Sequence, residues 1–125
     1  MFKMLTFLKK RDDLTMEEFK HYYESVHAQI GKQVLQPEVR RYFRRYLTPF
    51  DDALASRANG LDYDVVTEIW FDGKADFEVV MARLSQPDIQ RLIVEDEEQL
   101  FDRSRNQVML VDEVETEFAG ASANV

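Results

Sequence analysis

Residues 15–31 read TMEEFKHYYESVHAQIG, and the spacing of their large side chains predicts one amphipathic helix. Phe19, Tyr22, Tyr23, Val26, His27 and Ile30 fall at i, i+3, i+4, i+7, i+8 and i+11, a single stripe of a 3.6-residue repeat. Thr15 is placed as the N-cap, Glu18 completes a capping box, and Gly31 is placed to end the helix. The stripe carries His27 inward, whereas His21, about 120° away around the axis, faces solvent.

Working outward, Met1 to Lys9 reads as a strand with Phe2, Met4 and Leu8 on one face and Leu5 and Phe7 on the other, so both faces need cover. A second strand, Val39 to Thr48, alternates Arg40, Tyr42, Arg44 and Tyr46 against Val39, Arg41, Phe43, Arg45 and Leu47, which suits an edge or an interface. Pro49 to Leu61 reads as a loop with at most one helical turn, closed by Asn59-Gly60 and placed to cover a pocket. Tyr63 to Phe71 is the clearest strand, with Val65, Thr67, Ile69 and Phe71 opposite Asp64, Val66, Glu68 and Trp70. Phe77, Val80, Met81 and Leu84 form a helical stripe; Pro87 then opens a further helix with Ile89, Leu92, Ile93 and Leu100 inward. Asn106 to Phe118 supplies the last strand.

The order β-α-β-β-α-β, with an internal echo between MLTFLKKRDDLTMEEF and TEIWFDGKADFEVV, predicts an α+β, ferredoxin-like domain with a four-stranded antiparallel sheet and helices on one face. It occupies residues 1–118 and is followed by a small-residue tail, 119–125, expected to be mobile. The chain offers no further element for the second sheet face, so a homodimer is expected.

Composition narrows the function. A chain of 125 residues with 45% hydrophobic side chains supports one core. Twenty-four acidic against sixteen basic residues give a net charge of −8, which disfavours nucleic acid and anionic lipid as partners and leaves a small organic molecule or another protein. There is no cysteine for a disulfide, thiolate or thiolate-held metal, and no apolar run of membrane-spanning length, so a cytoplasmic protein is expected. Dinucleotide, P-loop, zinc-protease and EF-hand patterns are absent, and neither metal nor cofactor is expected.

His27 has two readings at this level, a buried imidazole satisfied by a carbonyl or carboxylate, or a proton-transfer residue. Tyr22, Tyr23, Tyr42 and Tyr46 are core or margin residues, or phenols that orient a ligand beside the imidazole. Glu68, mid-strand, either pairs with an arginine of the second strand or serves a pocket. Glu95-Asp96-Glu97-Glu98 reads as a solvated helix face, because consecutive helical residues do not converge.

LKKRDDLTMEEFKHYYESVHAQIG, VRRYFRRY, YDVVTEIWFD and DEEQLFDRS together resemble the EthD-like family of the dimeric α/β-barrel superfamily, with Glu18, Phe19, Tyr22, Tyr23 and His27 carrying the most specific block. The resemblance implies protomers paired as a dimeric α/β barrel of eight strands, with a small pocket between helices and sheet. It also implies a protein of organic-compound breakdown, of isomerase, dehydratase or oxidoreductase type, on an aromatic or lactone-like metabolite and without a cofactor. His27 is then the catalytic residue, with Tyr23, Tyr42, Tyr46, Glu68 and Trp70 binding substrate. Where family members carry a second histidine near the end of strand two, this chain has Tyr46, which leaves His27 to act without it. The alternatives are a non-catalytic ligand carrier for an oxygenase system and a haem-binding barrel with His27 as axial ligand.

Overall fold

The computed structural model describes residues 1–50 and 62–120. Most of the loop expected at Pro49 to Leu61, and the tail from 121 to 125, lie outside the described residues. The elements are β1 (Phe2–Leu8), α1 (Met16–Tyr22), a π-helical segment (Tyr23–His27), α2 (Ala28–Leu35), β2 (Val39–Tyr46), β3 (Val65–Phe71), α3 (Lys74–Leu84), α4 (Pro87–Leu100), a 3₁₀ turn (Arg103–Arg105) and β4 (Gln107–Leu110). The strands form one antiparallel sheet in the order β2-β3-β1-β4, the ferredoxin-like arrangement that the element order predicts.

β3 sets the two faces. Its residues alternate strictly, with Val65, Thr67, Ile69 and Phe71 buried and Val66, Glu68 and Trp70 half-buried. The buried face packs under the helices as two apolar clusters. One joins Leu8, Val65, Phe19, Tyr23, Ala28, Leu100 and Phe101; the other joins Met4, Ile69, Phe71, Leu35 and Val80. The opposite face has no helix over it among the described residues and presents Leu5, Phe7, Phe43 and Trp70 with cations laid on the rings, Lys3 Nζ 3.9 Å from the Trp70 centroid and the Arg45 guanidinium 4.7 Å from that of Phe43.

The first helix starts as its capping box dictates: Glu18 N–H donates to Thr15 Oγ1 at 3.1 Å, and Thr15 N–H donates to Glu18 Oε1 at 2.9 Å. It does not end at Gly31. Helical backbone continues to Leu35, after a wide turn in which Ala28 N–H reaches the Tyr23 carbonyl five residues back. That extra residue rotates everything beyond it, so the buried positions are Phe19, Tyr23, Ala28 and Leu35 rather than an unbroken 3.6-residue stripe. Gly31 serves a different purpose, since a Cβ there would sit 3.1 Å from Tyr42 Cε2; the bare backbone lets α2 settle onto the β2 ring.

Three further expectations are corrected. A β-bulge between Val39 and Arg41 swings Arg40 out to Asp72 and turns Val39 to the helix side beside Tyr42, against the simple alternation. β4 spans four residues, Gln107–Leu110, rather than Asn106 to Phe118; in its register with β1, which begins at Phe2, the residues beyond Asp112 have no β1 residue opposite them. On α4, Leu92 is 46% exposed, while Asp96, assigned above to a solvated face, is 8% exposed.

Phe19 has no solvent exposure and makes edge contacts with the rings of Tyr23, Tyr46 and Phe101. Phe19→Ala is expected to cost about 3–5 kcal/mol, the range for a large aromatic lost from a packed core, read as a lowered midpoint in urea unfolding.

Candidate active site

A cavity of about 280 Å³ lies between the sheet and the helices and touches both apolar clusters. Met4, Leu8, Ile69, Ile30, Val34, Leu35, Met81, Leu84, Ile93, Phe101 and Val108 give it an apolar wall, into which Thr6, Thr67, Tyr23, Tyr42, His27, Glu97 and Asn106 place a few polar groups. A mostly apolar chamber with convergent polar groups suits a small organic ligand, near the lower end of the roughly 300–1,000 Å³ of such pockets. Thr6 and Thr67 face each other in the β1–β3 register and share a hydrogen bond on the cavity floor.

His27 ends the π-helical segment, its ring edge-on to Tyr23 and Phe101 at centroid distances of 5.1 and 5.6 Å. Nδ1 lies 2.7 Å from Asp96 Oδ2, and the other oxygen of Asp96 accepts from the Tyr22 hydroxyl at 2.5 Å. A carboxylate only accepts, so Nδ1 carries the proton, and a neutral ring held in this way keeps its lone pair on Nε2. Among the described residues Nε2 makes no hydrogen bond, yet no buried side-chain nitrogen or oxygen there lacks a partner; Nε2 is therefore accessible, on a ring that lines the cavity. This arrangement fixes the imidazole by a carboxylate on one nitrogen and offers the other as base or acceptor. Of the two readings of a buried histidine the geometry combines both, a satisfied Nδ1 and a free Nε2. The Tyr22 phenol is pushed up to about 12 by its hydrogen bond to Asp96, with burial and the carboxylate charge adding to it. Burial raises the Glu97 carboxyl, against the opposing influence of His27 and Arg103.

The other expected site residues divide. Tyr23 and Tyr42 line the cavity with hydroxyls 3.4 Å apart, and burial pushes both phenols up. Tyr46 stands behind them. Its ring packs on Phe19 and Tyr23, and its hydroxyl donates to Glu24 Oε2 at 2.6 Å, where Arg44 also grips Glu24 in a two-pronged pair at 2.6 and 2.8 Å. That arginine holds the Glu24 carboxyl below its ordinary range. Glu68 and Trp70 do not reach the cavity, because the β3 alternation that points Thr67 and Ile69 inward turns them to the other face. There the Trp70 Nε1–H donates to Glu68 Oε1 at 2.6 Å, and Arg45 takes the second oxygen at 3.2 Å.

Glu97 and Phe101, which line the cavity, and Asp96, which holds His27, are absent from the sequence-derived set. A signal existed: Ile89, Ile93, Asp96 and Leu100 follow at i, i+4, i+7 and i+11, so Asp96 occupies a core position of α4. Among the described residues no group of three or more histidine, cysteine or carboxylate side chains is gathered to hold a metal, and no helix is long and apolar enough to cross a membrane.

Fold and site together define a ferredoxin-like α+β protein with a carboxylate-oriented histidine in an apolar chamber. The EthD domain matches residues 11–104, and the chain belongs to the EthD domain family. An ethyl tert-butyl ether D (EthD) family protein from Bacillus halodurans C-125 superposes with a TM-score of 0.61 at 12% identity, over 91% of this chain and 100% of its own. A dimeric ferredoxin-like protein from Thermobifida fusca YX gives 0.55 at 15% identity over 88% of each chain. A structure described as an antibiotic biosynthesis monooxygenase gives 0.51 at 15% identity, over 92% of this chain and 100% of that one. At such identities the likeness is one of fold. No protein of curated function matches the chain.

The hydrogen bond from Tyr22 to Asp96 has a pH signature. A phenol raised in the folded state contributes stability that is fully present below its unfolded value, near 10, and is lost as the pH rises through about 12. Ultraviolet titration should show Tyr22 among the tyrosines that ionise late, and Asp96→Leu should return one of them toward about 10.

Proposed function

We propose that the chain is a small-molecule enzyme in which His27 Nε2 moves a proton on an aromatic, lactone-like or related organic compound held in the apolar cavity, without a cofactor. The pairing of His27 Nδ1 with the buried Asp96, at 2.7 Å inside that cavity, carries this reading. Tyr23 and Tyr42 supply hydroxyls beside the imidazole, and their raised phenols stay protonated as donors at neutral pH. Glu24, Arg44 and Tyr46 act at one remove, holding β2 and the first helix together behind Tyr23. Isomerisation, dehydration and oxygenation all begin with such a proton removal, and the EthD family membership supports work on organic compounds.

The protomer is proposed to function as a homodimer. The uncovered sheet face, with Leu5, Phe7, Phe43 and Trp70 side by side across three strands, supports that assembly, as does the dimeric ferredoxin-like neighbour.

Deuterium uptake from D₂O into a panel of aryl ketones and lactones with acidic C–H bonds, followed by proton NMR, tests the chemistry. At least one member should exchange faster with the protein present. His27→Ala should slow that exchange by about 10²-fold or more, the usual contribution of a positioned acid–base group. Asp96→Asn should slow it as well, since an amide no longer holds the proton on Nδ1. Undiminished exchange in the His27 variant would refute the assignment. A ligand retained in the native mass spectrum, with no exchange anywhere in the panel, would favour a carrier over an enzyme.

A further inference from the structure

One carboxyl in the ligand chamber has no part in the proton transfer assigned to His27. Ile93, Glu97 and Phe101 follow at i, i+4 and i+8 and all line the cavity, so Glu97 stands in a stripe whose other members are apolar. Its side chain is 21% exposed. Among the described residues it makes no hydrogen bond, and its contact with Arg103, Nε to Oε2 at 3.9 Å, is too long for one. Burial raises this carboxyl because water solvates its charge poorly there.

The cations around the chamber are matched outside it. Among the described residues no lysine or arginine lines the cavity. Arg44 lies 4.7 Å from the centroid of the Tyr42 ring, but Glu24 grips it; Arg83 reaches the Val34 carbonyl and pairs with Glu38 at 2.6 Å. Arg103, just past the end of α4, is 44% exposed and screens Glu97 only loosely. His27 does not reverse the balance, because an imidazolium there would be matched by Asp96 at 2.7 Å. The charge that the described walls present to a ligand is therefore negative, and Glu97 carries it.

We propose that Glu97 is a specificity-determining residue of the chamber: it selects uncharged organic compounds that bear a hydroxyl group, accepting a hydrogen bond from that hydroxyl, and excludes compounds that carry a carboxylate. The selection rests on the proposed function in taking the cavity as the ligand site, and deepens it by naming the substrate class. A ligand hydroxyl supplies the donor that the described walls do not offer this carboxylate. A ligand carboxylate instead adds like charge at low effective permittivity, where a few ångströms of separation cost a factor of about ten or more in affinity.

Ligand-observed proton NMR of the full-length chain with 2-naphthol, 2-methoxynaphthalene and 2-naphthoate, at about pH 8 where exposed carboxyls are ionised, tests the selection. The parent chain should bind 2-naphthol at least about tenfold more tightly than 2-naphthoate, and about threefold more tightly than the methyl ether, which has no proton to donate. Glu97→Gln should narrow the gap between naphthol and naphthoate by about fivefold or more. Arg103→Gln, which leaves the Glu97 charge unopposed, should widen it. Shifts in opposite directions do not follow from general damage to α4, and circular dichroism confirms that each variant is folded. Equal affinity of the parent chain for naphthol and naphthoate, or a gap that both substitutions leave unchanged, would overturn the selection. Because binding is read without turnover, that result would leave the proton transfer at His27 standing. No binding of any of the three compounds at millimolar concentration would overturn the selection together with the ligand chamber.

Discussion

A carboxylate taken out of water must be paid back in hydrogen bonds, and Asp96 imposes that condition on the whole helical layer. Its two oxygens are met by Tyr22 Oη and His27 Nδ1, one at the end of α1 and one at the end of the π-helical segment. α4 is thereby fastened to the first helix at a turn that is not α-helical. The same contact leaves one nitrogen free on an imidazole that lines the cavity. Structure and chemistry share a single constraint here, because the satisfied carboxylate is also what keeps the proton on Nδ1.

The wide turn at Tyr23–His27 makes this geometry available. An unbroken α-helix would carry His27 onward with a fixed 3.6-residue phase; the inserted residue lets Tyr23 and Ala28, five apart, both be buried while His27 stays at the cavity margin. Beyond the turn, α2 comes down onto β2 because Gly31 has no Cβ to meet the Tyr42 ring. The chamber therefore lies where two apolar clusters fail to merge, roofed by helices whose phase was reset. Behind it, the Glu24–Arg44–Tyr46 pairing holds the same helix to the strand edge, and the depressed Glu24 carboxyl keeps that clamp charged at neutral pH.

Much of the fold was legible because the signals were local and redundant. The period-2 alternation of β3, the capping box of Thr15 and Glu18, and Pro87 at the start of α4 each describe a preference that tertiary contacts did not override. Tyr23 and His27, which line the cavity, were legible because helical periodicity placed them on an inward face, whereas Tyr42 was singled out by its phenol and by the family resemblance. Glu68 and Trp70 lie away from the cavity because the alternation of β3 turns them to the other sheet face, where Glu68 pairs with Arg45 of the second strand. Asp96 was missed, its charged neighbours on either side masking a helical phase that places it between Ile93 and Leu100.

The sequence by itself determined the order of elements, the face each strand buries and the inward direction of His27, since all three follow from side-chain period along a single segment. Tertiary structure alone decided the rest. That Asp96 meets His27 across 69 positions of chain, that a bulge at Arg40 brings Val39 to the side of Tyr42, and that α2 outruns Gly31 all depend on how separate elements press on one another. No local preference encodes those contacts, because each is a compromise between a backbone that could run on regularly and a buried polar or aromatic group that must find its partner.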